Sequence, residues 1–130
     1  MLLLDTHTYL WFVSGNPSLP EWVNEKIQTS EKVFVSIATF WEIAIKNCKG
    51  LLELPVPVSK MMEECTGKLN FGILPITGSH LDKMKNLPFI HNDPFDRLMI
   101  CQAQADGIAL VTVDEKIVQY DVETIKYSKA

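Results

Sequence analysis

MLLLDTHTYLW, residues 1–11, places four apolar residues ahead of a single acid and then turns to a helical pattern. A strand covered on one face alternates apolar and polar residues, so an unbroken apolar run ending at Asp5 is expected of a short strand covered on both. Helices on the two sides of a parallel sheet give that cover. The rest of the chain repeats the theme. Thr6–Val13 reads as a helix broken by Ser14-Gly15-Asn16-Pro17, and a second helix runs from Pro20 to Thr29. Lys32–Ser36 is rich in β-branched and aromatic residues and reads as a strand, followed by a helix over Ile37–Lys49 that ends at Gly50. Further helices are expected at Val58–Leu69, Ser79–Asn86, Pro94–Ala105 and, short, near Asp114–Gln119; further strands at Phe71–Ile76, Ile108–Val113 and Glu123–Tyr127. Alternating strands and helices imply βαβ units, hence an α/β chain with a three-layer α/β/α architecture and a central, mainly parallel sheet.

The totals narrow the class. At 130 residues the chain is expected to form one domain, 1–130, able to bury roughly two-thirds of its unfolded surface without a staple. No apolar run approaches the ~20 residues that span a bilayer, and no basic segment precedes an apolar stretch at the start, so a soluble, cytoplasmic chain is expected. Cys48, Cys65 and Cys101 are odd in number and widely spaced, which excludes a CxxC zinc or redox site; all three are expected in or near the core. Sixteen acids against twelve Lys and Arg give a net charge of −4, the wrong sign for holding nucleic acid by charge alone. A cation would have to assist.

HNDPFDR, residues 91–97, has a plain structural reading. Asp93 is suited to cap a helix with Pro94 at its first position, Asp96 suits the first turn, and Arg97 is four residues from Asp93 as an ion-pair partner. Ligand sites in α/β sheets lie at the carboxyl ends of the strands, however, and that rule selects four acids. Asp5 ends the first strand, Asp114 follows Val111-Thr112-Val113, and Asp96 opens the helix preceding that strand. Glu42 lies in the second turn of its helix, and helical side chains lean toward the N-terminus, over the same edge. Each has a local alternative: Asp5 or Thr6 as a cap, Asp114 as another, Glu42 and Lys46 as an i, i+4 pair. The surroundings of Asp5 and Glu42 are nevertheless those of a core rim, with Glu42 set inside IATFWEIAI.

Two carboxylates about 4 Å apart repel by roughly 4 kcal/mol at an effective dielectric near 20, and several such pairs would rival a total stability of about 5–15 kcal/mol. Protons or cations must therefore occupy such a cluster. Oxygen ligands without Cys or His at metal-binding spacing favour a hard ion, Mg²⁺ or Mn²⁺, one or two in number. Such ions attract a phosphodiester, activate water and stabilise a leaving oxygen.

Four stretches, LLLDTHTYLW (2–11), VSIATFWEIAIK (35–46), HNDPFDRLMICQA (91–103) and VTVDEKI (111–117), occur in this order along essentially the whole chain. In them the protein resembles PIN-domain ribonucleases of the VapC type, toxins of type II toxin–antitoxin pairs. DPFDR before an apolar helix is the most specific element. The resemblance implies that Asp5, Glu42, Asp96 and Asp114 form the catalytic metal site, with Asp93 left as the cap. It places Thr6 and Thr112 among hydroxyl residues bordering that site, and gives Arg97 either a substrate phosphate or Asp93 as partner. It further implies Mg²⁺- or Mn²⁺-dependent cleavage of RNA leaving a 5′-phosphate and a 3′-hydroxyl, a homodimer, and a cognate antitoxin whose tail covers the acidic groove. His7 is within reach of the site by sequence, while His91 is expected to order its loop. Two other readings compete. A catalytically inactive PIN-like binding module would keep the fold for partner contacts. An aspartyl phosphotransfer or phosphatase domain wants a second aspartate at position 7 or a late strand ending in lysine, and this chain has His7 and Asp114.

Overall fold

A computed structural model describes residues 1–130. Five strands form one sheet in the order β3-β2-β1-β4-β5, and all neighbours are parallel. They are β1 (Leu2–Leu4), β2 (Val33–Ser36), β3 (Gly72–Leu74), β4 (Ala109–Thr112) and β5 (Thr124–Lys126). Leu2, Leu3 and Leu4 sit opposite Val33, Phe34 and Val35 on one side and Ala109, Leu110 and Val111 on the other. The first strand is thus central, as its unbroken apolar run requires.

The pleat sends alternate residues into two cores. Leu2, Leu4, Val33, Val35 and Val111 meet residues of α1 (Thr6–Ser14), α2 (Glu21–Thr29), α3 (Ile37–Cys48) and α4 (Val58–Gly67). Leu3 and Leu110 turn the other way, onto Met99, Ile100 and Ala103 of α6 (Pro94–Asp106) and onto the segments around it. The short α5 (Gly78–Met84) packs beside α6. These are the three layers expected of α/β/α units. No helix is long and apolar enough to cross a membrane.

Several boundaries differ from the sequence-based expectation. The strand expected over Phe71–Ile76 is confined to Gly72–Leu74, ending before Pro75, whose missing amide cannot extend a ladder. The helix expected over Asp114–Gln119 contracts to a 3₁₀ turn at Ile117–Gln119. Cys65 and Cys101 are buried, whereas Cys48 is exposed at the end of α3, where the helix has passed the core. Periodicity identified the helix but not the turn at which its inner face runs out of partners.

One position of the edge strand has no room for a side chain. Gly72 lies opposite Phe34 of β2, and a methyl group on Gly72 would stand 2.7 Å from the Phe34 ring. The ring occupies the space that a side chain would take. Gly72→Ala should therefore destabilise the protein by about 1–3 kcal/mol in urea unfolding, the usual cost of overpacking. Most of that loss should be absent when the same change is made in a Phe34→Leu background; equal losses in both would show that the ring is not the obstacle.

Candidate metal centre

Chain order reverses at β1. The chain moves outward through β2 and β3 and then returns to the other side of β1 as β4, leaving a crevice at the carboxyl ends of β1 and β4. A cavity of about 200 Å³ opens there, and Asp5, Glu42, Asp96 and Asp114 all line it, together with the cap residue Asp93, His7 and Lys46. Four separate segments supply those acids.

Each acid is held by local structure. Asp5 follows β1, its amide still bonded to the Val111 carbonyl of β4 at 3.1 Å. Its Oδ1 accepts the Thr8 amide (2.9 Å), capping α1, while Oδ2 accepts the Thr112 hydroxyl (2.6 Å). Capping and cavity lining are thus two uses of one carboxylate. Glu42 is 7% exposed; the Thr6 hydroxyl donates to its Oε1 (2.6 Å) and Lys46 Nζ lies 3.1 Å from its Oε2. Asp114 Oδ1 accepts the Lys116 amide (2.7 Å), and the Asp114 amide donates back to the Thr112 hydroxyl oxygen (3.0 Å). Thr112 therefore connects Asp5 with Asp114 from beneath, while Thr6 fixes Glu42.

In the 91–97 segment the roles divide between the two aspartates. Asp93 Oδ1 accepts the amides of Phe95 (2.9 Å) and Asp96 (3.0 Å), and Pro94 occupies the first turn. Asp96 is left to contact His91, whose Nε2 lies 3.0 Å from Asp96 Oδ2 and 2.8 Å from Asp114 Oδ2. These three groups approach closely enough to surround a single cation. His91 was expected only to order its loop; the spacing of HNDPFD carries no periodic cue that its ring would turn toward Asp114.

Arg97 forms no ion pair with Asp93 and does not line the cavity. Its guanidinium is buried, donating to the carbonyls of Pro88 (2.8 Å), Leu87 (3.2 Å) and His91 (3.3 Å), and lies 4.0 Å from the Phe89 ring centroid. The expected ion pair with Asp93 is replaced by the loop that Arg97 straps down.

The electrostatics follow from crowding. Burial, and then the charges of Asp93, Asp5, Glu42 and Asp114, push Asp96 from its ordinary 3.8 up to about 8. Burial also raises Asp5, with the hydrogen bonds from Thr112 and Thr8 opposing it. Burial acts against ionisation at Asp114 too, but the Lys116 amide, the His91 side chain and the Ile117 amide together hold it below its usual value. Asp96 thus tends to keep its proton, first because it is buried and then because other carboxylates surround it. A divalent cation suits such a set: the donors are carboxylate oxygens, already oriented, and a positive charge would replace the proton. Asp5, Glu42, Asp96 and Asp114 are the residues that would hold it.

A PIN domain family model matches residues 2–123. No curated protein matches the chain in sequence. Among solved structures, VapBC2 from Rickettsia felis bound to a DNA fragment of its promoter superposes with a TM-score of 0.74 at 13% identity, covering 98% of both chains. DNA-bound VapBC from Salmonella typhimurium gives 0.68 at 14% identity, with 96% of both chains covered. FitAcB from Neisseria gonorrhoeae gives 0.64 at 20% identity, with 97% of both covered. At such identities these likenesses establish the shared fold.

Two stability measurements probe the centre. The unfolded chain releases the Asp96 proton at the ordinary 3.8, while the folded chain keeps it to about 8. Between those values the folded state binds more protons, so this group makes stability fall as pH rises through that window. In EDTA, Asp96→Asn should remove that decline and stabilise the protein at the upper end by on the order of 1–3 kcal/mol in urea titrations. A variant less stable than the parent there would contradict the crowding argument. Arg97→Lys should cost about 2 kcal/mol or more, because an ammonium cannot reproduce the fork that serves three carbonyls and the ring. An unchanged urea midpoint would remove the strap from the account.

Proposed function

The chain belongs to the PIN-domain family, and on that premise we propose that it is a single-domain, metal-dependent endoribonuclease, the toxin of a toxin–antitoxin pair. The observation that carries the reading is the convergence of Asp5, Glu42, Asp96 and Asp114, from four segments, on one cavity at the carboxyl edge of the sheet. Likeness in fold to the VapBC and FitAB complexes supports it.

In this reading the four acids hold one or two Mg²⁺ or Mn²⁺ ions. A bound ion supplies charge for the scissile phosphodiester, Lewis-acid activation of the attacking water and stabilisation of the leaving oxygen. The chain's own residues provide placement. Thr112 and Thr8 fix the two oxygens of Asp5, and Thr6 and Lys46 fix those of Glu42. With carboxylates prevented from rotating, little reorganisation is left for the reaction itself. Lys46 is only partly covered, and with His7 at the cavity it offers an RNA backbone a favourable edge on an otherwise acidic protein. The products carry a 5′-phosphate and a 3′-hydroxyl, the protein works in the cytoplasm as a homodimer, and a cognate antitoxin silences it by covering the acidic cavity.

Cleavage of a mixed, structured RNA pool with Mn²⁺, Mg²⁺ or EDTA tests the proposal, with Asp5→Asn and Asp96→Asn proteins purified identically. Asp96→Asn keeps an oxygen that can accept from His91, whereas Asp5→Asn can accept only one of the two bonds that Asp5 takes from Thr8 and Thr112. Metal-dependent cutting by the parent should fall roughly 100-fold or more in each variant. Equal activity in parent and variants would assign the cutting to a contaminant, and a silent parent that binds Mn²⁺ would favour a binding module instead.

A further inference from the structure

His91 lies in the connection between α5 and α6, and both its backbone groups are tied down. Its amide donates to the Tyr120 hydroxyl oxygen (2.7 Å), that hydroxyl donates to the Pro88 carbonyl (2.7 Å), and the His91 carbonyl accepts from Arg97 (3.3 Å). The ring is held at its other side as well, because Nδ1 faces the Asp93 amide at 3.1 Å. That amide belongs to the cap residue of α6, whose conformation is set by its own bonds to Phe95 and Asp96.

The Asp93 contact decides the tautomer. A backbone N–H is always a donor, so Nδ1 presents its lone pair and the ring hydrogen is on Nε2. Nε2 is the atom shared by Asp96 Oδ2 (3.0 Å) and Asp114 Oδ2 (2.8 Å). The spacing of the three groups by itself fits three ligands around one cation. Ligation through Nε2, however, requires a lone pair there and the hydrogen on Nδ1, where it would meet the hydrogen of the Asp93 amide head-on. Ligating histidines show the opposite arrangement, their second nitrogen donating to a carboxylate, carbonyl or water.

We propose that His91 is a positioning residue and not a ligand: its Nε2–H, fixed by the Asp93 amide, gathers one oxygen of Asp96 and one of Asp114 and aims the rest of both carboxylates into the cavity. The proposal rests on the metal-site reading above and refines it, because the ion then meets oxygen donors alone. Such a set accepts Mg²⁺ and Mn²⁺ and gives up the advantage that an imidazole would confer on Zn²⁺ or Ni²⁺.

Two measurements test it. In the protein with ¹⁵N-labelled histidine, kept in EDTA, long-range ¹H–¹⁵N correlation should show a protonated Nε2 and a bare Nδ1 for His91. Mn²⁺ binding followed by electron paramagnetic resonance should then compare the parent with His91→Gln and His91→Ala. Glutamine brings an amide donor to the place of Nε2, whereas alanine brings none, and both leave the Asp93 amide without its acceptor. His91→Gln should bind Mn²⁺ within about threefold of the parent, and His91→Ala should bind it about 10- to 100-fold more weakly. Pulsed spectra of the loaded parent should contain no ¹⁴N coupling that disappears in His91→Gln. A hydrogen found on Nδ1 of the parent overturns the proposal whether or not either variant folds well, and so does a coupling that disappears in a folded, Mn²⁺-loaded His91→Gln protein. Mn²⁺ binding with the expected His91 pattern but no RNA cleavage would sustain the positioning role while overturning the ribonuclease reading.

Discussion

Repulsion among carboxylates at the carboxyl edge of the sheet is the constraint around which this protein is arranged. The parallel topology brings the end of β1 and the end of β4 side by side, and both ends carry an aspartate. Glu42 from α3 and Asp96 from α6 enter the same cavity. An unsupported cluster of this kind would fly apart or remain protonated throughout. Here each acid has a fixed donor: threonine hydroxyls, main-chain amides, one lysine and one histidine. These donors make the charge tolerable without cancelling it, and the unbalanced remainder is what a cation would answer.

The supporting groups are themselves products of the fold. Thr112 is the last residue of β4, and its hydroxyl reaches Asp5 because β1 and β4 are in register, Leu4 opposite Val111. Thr6 and Glu42 meet because α1 and α3 both begin where their strands end, on the same side of the sheet. One residue of slip between β1 and β4 would turn every side chain of the strand to the opposite core and separate Asp5 from Thr112. Packing of Leu2, Leu3 and Leu4 therefore sets the geometry of the charged edge, although none of those leucines lines the cavity.

Much of this was legible in the residues. The unbroken run at Leu2–Leu4 gave the covered central strand, and the lean of helical side chains brought Glu42 to the right edge despite its apolar neighbours. Those inferences succeeded because they depend on periods of two and 3.6, which are local. The positions of His91 and Arg97 were not legible for the opposite reason. Each is set by a loop whose path depends on Tyr120 and on carbonyls as much as ten residues away. Arg97 had attractive charged partners in the sequence, but no periodicity shows that the carbonyls of Leu87, Pro88 and His91 would converge on it first. Cys48 illustrates a smaller failure of the same kind: the pattern of α3 continues to its end, while the surface it packs against stops sooner.

The choice of arginine for that loop has a consequence for the frame as a whole. A guanidinium keeps its charge at any pH a cell encounters, so its five donors are never withdrawn. The carboxylates of the cavity have no such constancy, and burial with neighbouring charge raises Asp96 to about 8, close to neutrality. What the cavity holds is thus exchangeable, while the loop beside it is held by a fork that three main-chain carbonyls satisfy.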